Sequence, residues 1–199
     1  MNPPPSLSDL PPLVLASASP RRAELLRRLG LPFRACPANL DETTLAHLPP
    51  AQMARALAQE KAKAVWKAGE WVLAADTVVA LEGAVLGKPA NAQENRRFLE
   101  QLSGRSHVVY TGVSIVIPRG ELHSTVAEAE VIFRRLTPWE IQWYVESGEG
   151  LDKAGGYGAQ GLGMVLLEGL RGDFYTVMGL PVSRVWERLT ELGYFGGAR

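Results

Sequence analysis

The sequence predicts an α/β fold with a mixed sheet and flanking helices. Two observations carry this prediction. Short apolar strand patterns alternate with helical patterns from residue 13 onward, and two long strand patterns, over residues 107–117 and 121–133, follow each other across a turn. The chain has 199 residues, which suffices for one domain with a sizeable core. We therefore expect a single domain over residues 13–199.

A proline-rich segment precedes that domain. Five of the fourteen prolines fall within residues 1–12. Such a composition favours an extended or disordered chain over a packed one. We therefore expect residues 1–12 to form a disordered lead-in to the domain.

The first half of the domain contains three predicted strands and two predicted helices. Residues 13–16 form a short apolar strand that leads directly into a helix. Ser19 is a suitable N-cap for this helix, Pro20 suits its first position, and Gly30 ends it. The remaining elements are a strand over residues 33–37, a polar loop with Asp41 and Glu42, a helix over residues 51–67, and a strand over residues 71–75 that is bounded by Asp76.

The second half begins with a hairpin and ends with a helix. The hairpin, over residues 78–89, is expected to turn at Glu82 and Gly83. Asn91 followed by Glu94 has the spacing of a helix capping box. The helix that this box starts ends near Leu102. The elements after it are the two long strands with a turn over residues 118–120, a helix from Thr137 to Gly148, a glycine-dense stretch over residues 148–163, and a helix over residues 181–192.

Composition and charge exclude several classes of protein. Twenty-one Lys and Arg balance twenty-one Asp and Glu, so bulk charge cannot drive binding to nucleic acid. The single cysteine cannot form an internal disulfide, and three scattered histidines cannot complete a Cys/His zinc site. No apolar run approaches the roughly 18 residues of a membrane helix, and the N-terminus lacks signal-peptide features. We expect a cytoplasmic protein with neither a membrane nor a nucleic-acid partner.

The segment SASPRR, residues 17–22, is the first candidate for a functional site. A strand that ends in a small-residue turn at a helix N-terminus offers free backbone N–H groups, which suit a phosphate. Ser17 could donate a hydrogen bond there, and Arg21 and Arg22 carry forked donors that match phosphate oxygens. An ordinary capped helix with solvated arginines is the alternative.

Acidic residues provide the second candidate. Asp76 and Thr77 follow a buried strand, where open α/β sheets place their ligands. With Asp41 and Glu42, Asp76 would give enough carboxylates for Mg²⁺, which needs only one or two when substrate phosphates supply the rest. A turn-capping Asp76 and solvent-facing loop acids are the alternative interpretation.

Lysines beside turns and glycines form the third candidate. Lys61 lies in a helical pattern, Lys88 precedes a proline, and Lys153 opens a glycine-rich loop that also contains Gln160. Glycines allow the backbone to approach a ligand closely, although the same composition fits a mobile linker. An isolated lysine is most often solvated surface.

These segments together resemble the Maf family of nucleoside triphosphate pyrophosphatases. The resemblance covers residues 13–185, and its motifs occur in the family's order. They are LASASPRRAELLRRLG, LDE, QEKA, AADTVV, LGKP, LSGRSHVVYTGV, YVESGE, LDKAGGYGAQGLG and GLPVSRV.

The resemblance implies two lobes around a cleft, similar to inosine triphosphate pyrophosphatases, and hydrolysis of a nucleoside triphosphate between its α and β phosphates. It implies a divalent cation, Mg²⁺ or Mn²⁺, and a homodimer. Asp76 would be the general base and, with Glu42, a metal ligand. The residues implied to bind the triphosphate are Ser17, Arg22, Lys61, Lys88 and Lys153.

The resemblance also bears on specificity. The branch that acts on dTTP and UTP has Arg, Thr and Gln where this sequence has Arg21, Thr77 and Gln160, whereas the branch that acts on 7-methyl-GTP has Trp, Gln and Glu. A carboxamide offers both a donor and an acceptor to a uracil or thymine edge. We therefore expect hydrolysis of dTTP and UTP; the alternative is a nucleotide-binding regulator of cell division without catalysis.

Overall fold

The structure is a computed structural model, and it describes residues 6–40 and 42–196, the side chains of Glu42 and Thr43 excepted. The strands are β1 (Leu13–Leu15), β2 (Phe33–Ala35), β3 (Trp71–Leu81), β4 (Ala84–Leu86), β5 (Ser106–Val116), β6 (Leu122–Phe133) and β7 (Leu167–Gly172). The α-helices are α1 (Pro20–Arg28), α2 (Pro50–Val65), α3 (Ala92–Leu102), α4 (Pro138–Glu146), α5 (Phe174–Met178) and α6 (Val182–Glu191).

Seven strands of the described residues form one mixed sheet, in the order β2-β1-β3-β5-β6-β7, with β4 paired to the end of β3. β1 runs parallel to both β2 and β3, whereas β3, β5, β6 and β7 are antiparallel neighbours. Helices flank this sheet. The predicted α/β class with a mixed sheet is therefore confirmed.

One edge of β3 opens a cleft. β1 pairs with the first three residues of β3, up to Leu73, and β4 pairs with β3 only from Val79 onward. Along this edge, no strand of the described chain pairs with residues 74–78. The gap lies between two apolar cores, one of which joins β1, α1 and α6, while the other joins β4, α3 and α4. A third cluster packs α2 against the sheet.

Several predicted local signals are confirmed. The Ser19 side chain accepts a hydrogen bond from the first turn of α1, Asn91 does the same for α3, and Thr137 and Glu140 form a complete capping box on α4. The β3–β4 hairpin turns at Glu82 and Gly83, both with positive φ.

Other elements differ from the predictions. β3 does not end before Asp76 but continues to Leu81, because β5 pairs with it along this whole stretch. β7 and α5 are not predicted, since β7 contains two glycines among its six residues and α5 has only five residues.

The described part of the proline-rich lead-in, residues 6–12, is mostly exposed but contacts the domain at two points. Leu10 is buried in the first core, and the Tyr194 hydroxyl donates a hydrogen bond to the Pro11 carbonyl oxygen at 2.6 Å. Sequence composition does not anticipate this contact because it joins the two ends of the described chain. None of the helices in the described residues is long and apolar enough to span a membrane.

Candidate active site

The cleft beside β3 has a volume of about 890 Å³. Nine of the ten site residues predicted from the sequence line it, and each comes from one of five separate segments. These residues are Ser17, Arg21, Arg22, Lys61, Asp76, Thr77, Lys88, Lys153 and Gln160. The tenth, Glu42, has a side chain outside the described part of the structure, as does the whole of Asp41, so their predicted roles remain predictions.

Asp76 and Lys61 form an ion pair on the floor of the cleft. The Lys61 ammonium donates to Asp76 Oδ1 at 2.5 Å, and both side chains are largely buried. Alternation along β3 directs Asp76 to the face that α2 covers, and Lys61 projects from α2. The pair therefore joins the helix to the part of β3 whose edge lacks a neighbouring strand.

α2 approaches the sheet closely because β5 has a glycine beneath it. Gly112 lies opposite Asp76 in the β3–β5 register, and a Cβ at Gly112 would overlap the carbonyl oxygen of Ala54 on α2. Only a residue without a side chain permits this approach. The separation of α2 from the strand that carries Asp76 is therefore fixed by backbone contact.

Arg22 binds three parts of the protein at once. Its Nη1 donates to Ser17 Oγ at 3.0 Å, its Nη2 to Thr77 Oγ1 at 3.1 Å, and its Nε to the Gly179 carbonyl oxygen at 2.8 Å. The guanidinium group thus ties α1 to β3 and to the turn after α5. Its predicted interaction with a triphosphate stays a prediction, and any such interaction starts from a side chain that is already held in place.

Thr77 continues this network into the core. Its hydroxyl lies 3.0 Å from that of Thr111 on β5, and the Thr111 hydroxyl donates to the Thr176 carbonyl oxygen at 2.7 Å. Thr111 and Thr176 are fully buried, so each needs such a partner. The wall that carries Ser17, Arg22 and Thr77 is consequently a connected polar network.

The opposite wall holds two predicted lysines. Lys153 donates to the Glu149 carbonyl oxygen at 2.5 Å and to Asp152 Oδ1 at 2.6 Å. Lys88 is exposed on the turn after β4. The half-buried Arg21 lies across from Asp152, whose pKa falls below its usual value because of the Lys153 hydrogen bond and, to a lesser extent, the charge of Arg21.

Glu149 organises the glycine-rich loop, although the sequence does not single it out. Its carboxylate accepts hydrogen bonds from the backbone N–H groups of Leu162 and Gly163 and from the Tyr144 hydroxyl. Burial alone would raise the pKa of Glu149, but these hydrogen bonds outweigh it and hold the pKa below its usual value. The sequence signal that could have identified Glu149 is its position, directly after Gly148 and the capped helix α4.

The described residues offer a metal ion few protein ligands. The described residues contain no group of three or more His, Cys, Asp or Glu side chains that could hold an ion. Mg²⁺ nevertheless often uses one or two carboxylates and takes its other ligands from phosphates and water. The buried Asp76 carboxylate is compatible with that donor set.

Comparison with known proteins places the chain in a family. A profile described as Maf-like protein matches residues 12–192. The chain belongs to the Maf family. The resemblance inferred from the sequence motifs is therefore confirmed over the whole length on which it was based.

Two Maf relatives are similar to this chain over almost their full lengths. The dTTP/UTP pyrophosphatase of Thermus thermophilus is 58% identical over 187 residues, which cover 94% of this chain and 98% of that protein. The dTTP/UTP pyrophosphatase of Moorella thermoacetica is 54% identical over 185 residues, covering 91% and 95%. A solved structure, the dITP/XTP pyrophosphatase of Mycobacterium abscessus, covers 92% of this chain and 94% of its own, with 17% identity and a TM-score of 0.45.

Proposed function

We propose that this protein hydrolyses dTTP and UTP between the α and β phosphates, releasing the nucleoside monophosphate and pyrophosphate. One observation carries the proposal: a buried carboxylate and five cationic side chains converge on one cleft. The cations are Arg21, Arg22, Lys61, Lys88 and Lys153, against the three carboxylates Asp76, Glu149 and Asp152. The names of relatives at 54–58% identity support the same substrates.

In the proposed reaction, Asp76 takes a proton from a water molecule as the water oxygen bonds to the α-phosphorus. The bond between that phosphorus and the oxygen bridging to the β-phosphorus breaks, and pyrophosphate leaves with the bonding electrons. Lys61 keeps the carboxylate oriented through their hydrogen bond. Cations around the phosphates stabilise the charge that develops on the phosphoryl oxygens, which is the largest contribution a protein makes to such a transfer.

We also propose that Asp76 and Glu42 hold a divalent cation, Mg²⁺ or Mn²⁺, together with the substrate phosphates. When bound, such an ion neutralises phosphate charge and polarises phosphoryl oxygens. Lys88 and Lys153 would bind the outer phosphates, and Ser17 would donate a hydrogen bond to them. Arg22 would hold the Ser17 and Thr77 hydroxyls in position beside the triphosphate.

Pyrimidine selection is assigned to Arg21, Thr77 and Gln160. A uracil or thymine ring presents O4, N3–H and O2, so it requires both a donor and an acceptor from the protein. The Gln160 carboxamide supplies both, and the loop backbone supplies the remainder. CTP would be a poor substrate, since its 4-amino group replaces an acceptor with a donor and leaves a buried group unsatisfied.

We further propose a cytoplasmic homodimer that takes a nucleoside triphosphate as substrate and binds neither nucleic acid nor a membrane. Sedimentation of the purified chain would test the dimer directly. A nucleotide-binding regulator of cell division without catalysis is not favoured, because pure binding needs no general base and the relatives are named as pyrophosphatases.

Pyrophosphate release from the purified protein tests the function. We expect turnover of dTTP and UTP with Mg²⁺ or Mn²⁺, at least tenfold slower turnover of CTP and 7-methyl-GTP, and no turnover after chelation. Asp76→Asn, prepared in parallel, excludes a contaminating pyrophosphatase. Absence of pyrophosphate release from both dTTP and UTP, from a folded protein with either metal, would overturn the proposal.

A further inference from the structure

The glycine-rich loop is anchored on both sides of Gln160 by two groups at the end of α4, the buried Tyr144 and the partly exposed Glu149. The Gly158 N–H donates to the Tyr144 hydroxyl oxygen at 2.9 Å. Beyond Gln160, the Leu162 N–H donates to Glu149 Oε2 at 2.7 Å, and the Gly163 N–H donates to Oε1 of the same carboxylate at 3.1 Å. The loop therefore wraps around one anion.

The two anchors are themselves joined, and the loop backbone passes close to the carboxylate. The Tyr144 hydroxyl donates to Glu149 Oε1 at 3.0 Å, so one proton connects the two anchors. A Cβ at Gly161 would overlap Glu149 Oε2, so a side chain there would displace the carboxylate from its hydrogen bonds to the loop. Tyr144 is fully buried, which fixes its hydroxyl in space.

We infer that Glu149 and Tyr144 are positioning residues for nucleobase selection: they fix the loop whose side chain at residue 160 distinguishes uracil from cytosine. Gln160 itself is exposed at the cleft, so its direction depends on the backbone on either side of it. The inference rests on the proposed function, in which Gln160 binds the base. It assigns neither residue a role in proton transfer.

The position of Lys153 separates this role from phosphate binding. Its ammonium donates to the Glu149 backbone carbonyl oxygen, not to the Glu149 side chain. The Glu149 carboxylate also acts on Lys153 through its charge. Glu149→Gln should therefore loosen the loop around Gln160 and change the charge beside Lys153, whereas Tyr144→Phe loosens the loop without removing a charge. Glu149→Gln would turn an amide donor toward backbone N–H donors, and that mismatch disrupts the anchor without changing side-chain volume.

The test uses binding as well as turnover. Affinities for UMP, CMP and inorganic tripolyphosphate are measured by calorimetry on the wild type, Glu149→Gln and Tyr144→Phe, with thermal unfolding followed in parallel. Glu146→Gln is the matched control, because Glu146 is an exposed carboxylate on the same helix end and contacts Gln142. We expect both loop variants to lose about tenfold or more of the preference for UMP over CMP. Tripolyphosphate affinity should stay within about twofold in Tyr144→Phe, which keeps every charge, and should not fall in Glu149→Gln, which removes a negative charge from the cleft.

Each outcome supports or overturns the inference. The inference is overturned if both loop variants keep the wild-type preference for UMP. It is also overturned if they lose affinity for all three ligands in equal proportion, because that result marks a merely structural role. A wild type that prefers UMP but releases no pyrophosphate from UTP would remove the proposed function and leave the loop assignment standing. A wild type without any preference for UMP overturns the assignment, whatever its turnover.

Discussion

The Lys61 ammonium lies 2.5 Å from the Asp76 carboxylate, with only 13% and 10% of the two side chains exposed. Charges this close and this poorly hydrated interact strongly, and removal of either partner is costly for a buried pair. The pair joins α2 to β3 at the floor of the cleft. Stability and chemistry at this point are therefore linked, and experiments must separate them.

Asp76→Asn should reduce turnover severely and destabilise the protein without unfolding it. The carboxamide oxygen keeps a hydrogen bond to Lys61 but cannot accept a proton from water, so we expect kcat for UTP to fall by about 10²–10⁴-fold. Loss of the charge should lower the free energy of unfolding by about 1–3 kcal/mol. Steady-state kinetics and thermal unfolding of the same preparation measure both effects.

Asp173→Asn is the matched control for that substitution. Asp173 caps α5 by accepting hydrogen bonds from the Tyr175 and Thr176 N–H groups, and it does not line the cleft. Asn caps a helix about as well as Asp, so this substitution should change stability by only about a few tenths of a kcal/mol and leave kcat unchanged. If Asp76→Asn retains a tenth of wild-type turnover, Asp76 is not the general base.

Gln160→Glu should lower kcat/KM for dTTP and UTP by about 10–100-fold, since a carboxylate cannot donate and repels the carbonyl oxygens of the pyrimidine. The melting temperature should change little because Gln160 is exposed. Gln101→Glu adds the same charge to an exposed site on α3 outside the cleft and should leave kcat/KM unaltered. Equal rates on UTP and CTP in the wild type would contradict the assignment.

Gly112→Ala should destabilise the protein and disturb catalysis together. The added methyl group would overlap the Ala54 carbonyl, so α2 must move from the sheet, at a cost of about 3 kcal/mol. A displacement of the helix also moves Lys61, and we expect kcat/KM to fall by about tenfold or more. Gly169→Ala, whose Cβ would meet only Ile132 at 3.9 Å, should change neither quantity by much; similar behaviour of the two variants would count against this close approach.

Stability should decline in mild acid because of His107. Burial lowers the pKa of His107 from its ordinary value of 6.5 to about 4, while one ring nitrogen meets the Tyr157 hydroxyl at 2.7 Å. The unfolded chain takes up this proton below pH 6.5 and the folded chain only near pH 4. The free energy of unfolding should therefore fall between these values, by up to about 1.4 kcal/mol per pH unit from this group.

Chemical denaturation at several pH values from 7 to 4 measures that slope. His107→Gln should show a shallower slope than the wild type, whatever its stability at pH 7. His47→Gln, at an exposed position, should keep the wild-type slope. Parallel curves for the wild type and His107→Gln would show that another group governs the acid response.

Local sequence signals predicted much of this fold because their physics is local. The caps at Ser19, Asn91 and Thr137 each use a side chain within one helical turn of its partner. By contrast, the continuation of β3 beyond Asp76 depends on β5, some thirty residues away in sequence, which pairs Asp76 with Gly112. The residues of β3 alone do not indicate that β5 pairs with them.

The candidate site was likewise predicted in its local motifs but not in its contacts between distant segments. Motifs single out nine side chains that share one cleft, but they do not reveal what each side chain touches. From the sequence, Arg22 is predicted to be a solvated or phosphate-binding cation. In the structure, its three side-chain nitrogens donate hydrogen bonds to Ser17, Thr77 and Gly179. The sequence gives no role to the Tyr144 hydroxyl, which in the fold accepts a hydrogen bond from the Gly158 N–H group of the loop. Contacts between distant segments are what the sequence alone lacks.

The close approach at Gly112 links the position of α2 on the sheet to the ion pair between Lys61 and Asp76. Ala54, which touches the sheet there, and Lys61, which binds Asp76, lie seven residues apart, nearly two full turns at 3.6 residues per turn. Both therefore point the same way around the helix axis. One residue inserted between them would rotate the lysine by about 100° relative to the anchoring contact, leaving the helix seated on the sheet while its ammonium faces away from the carboxylate.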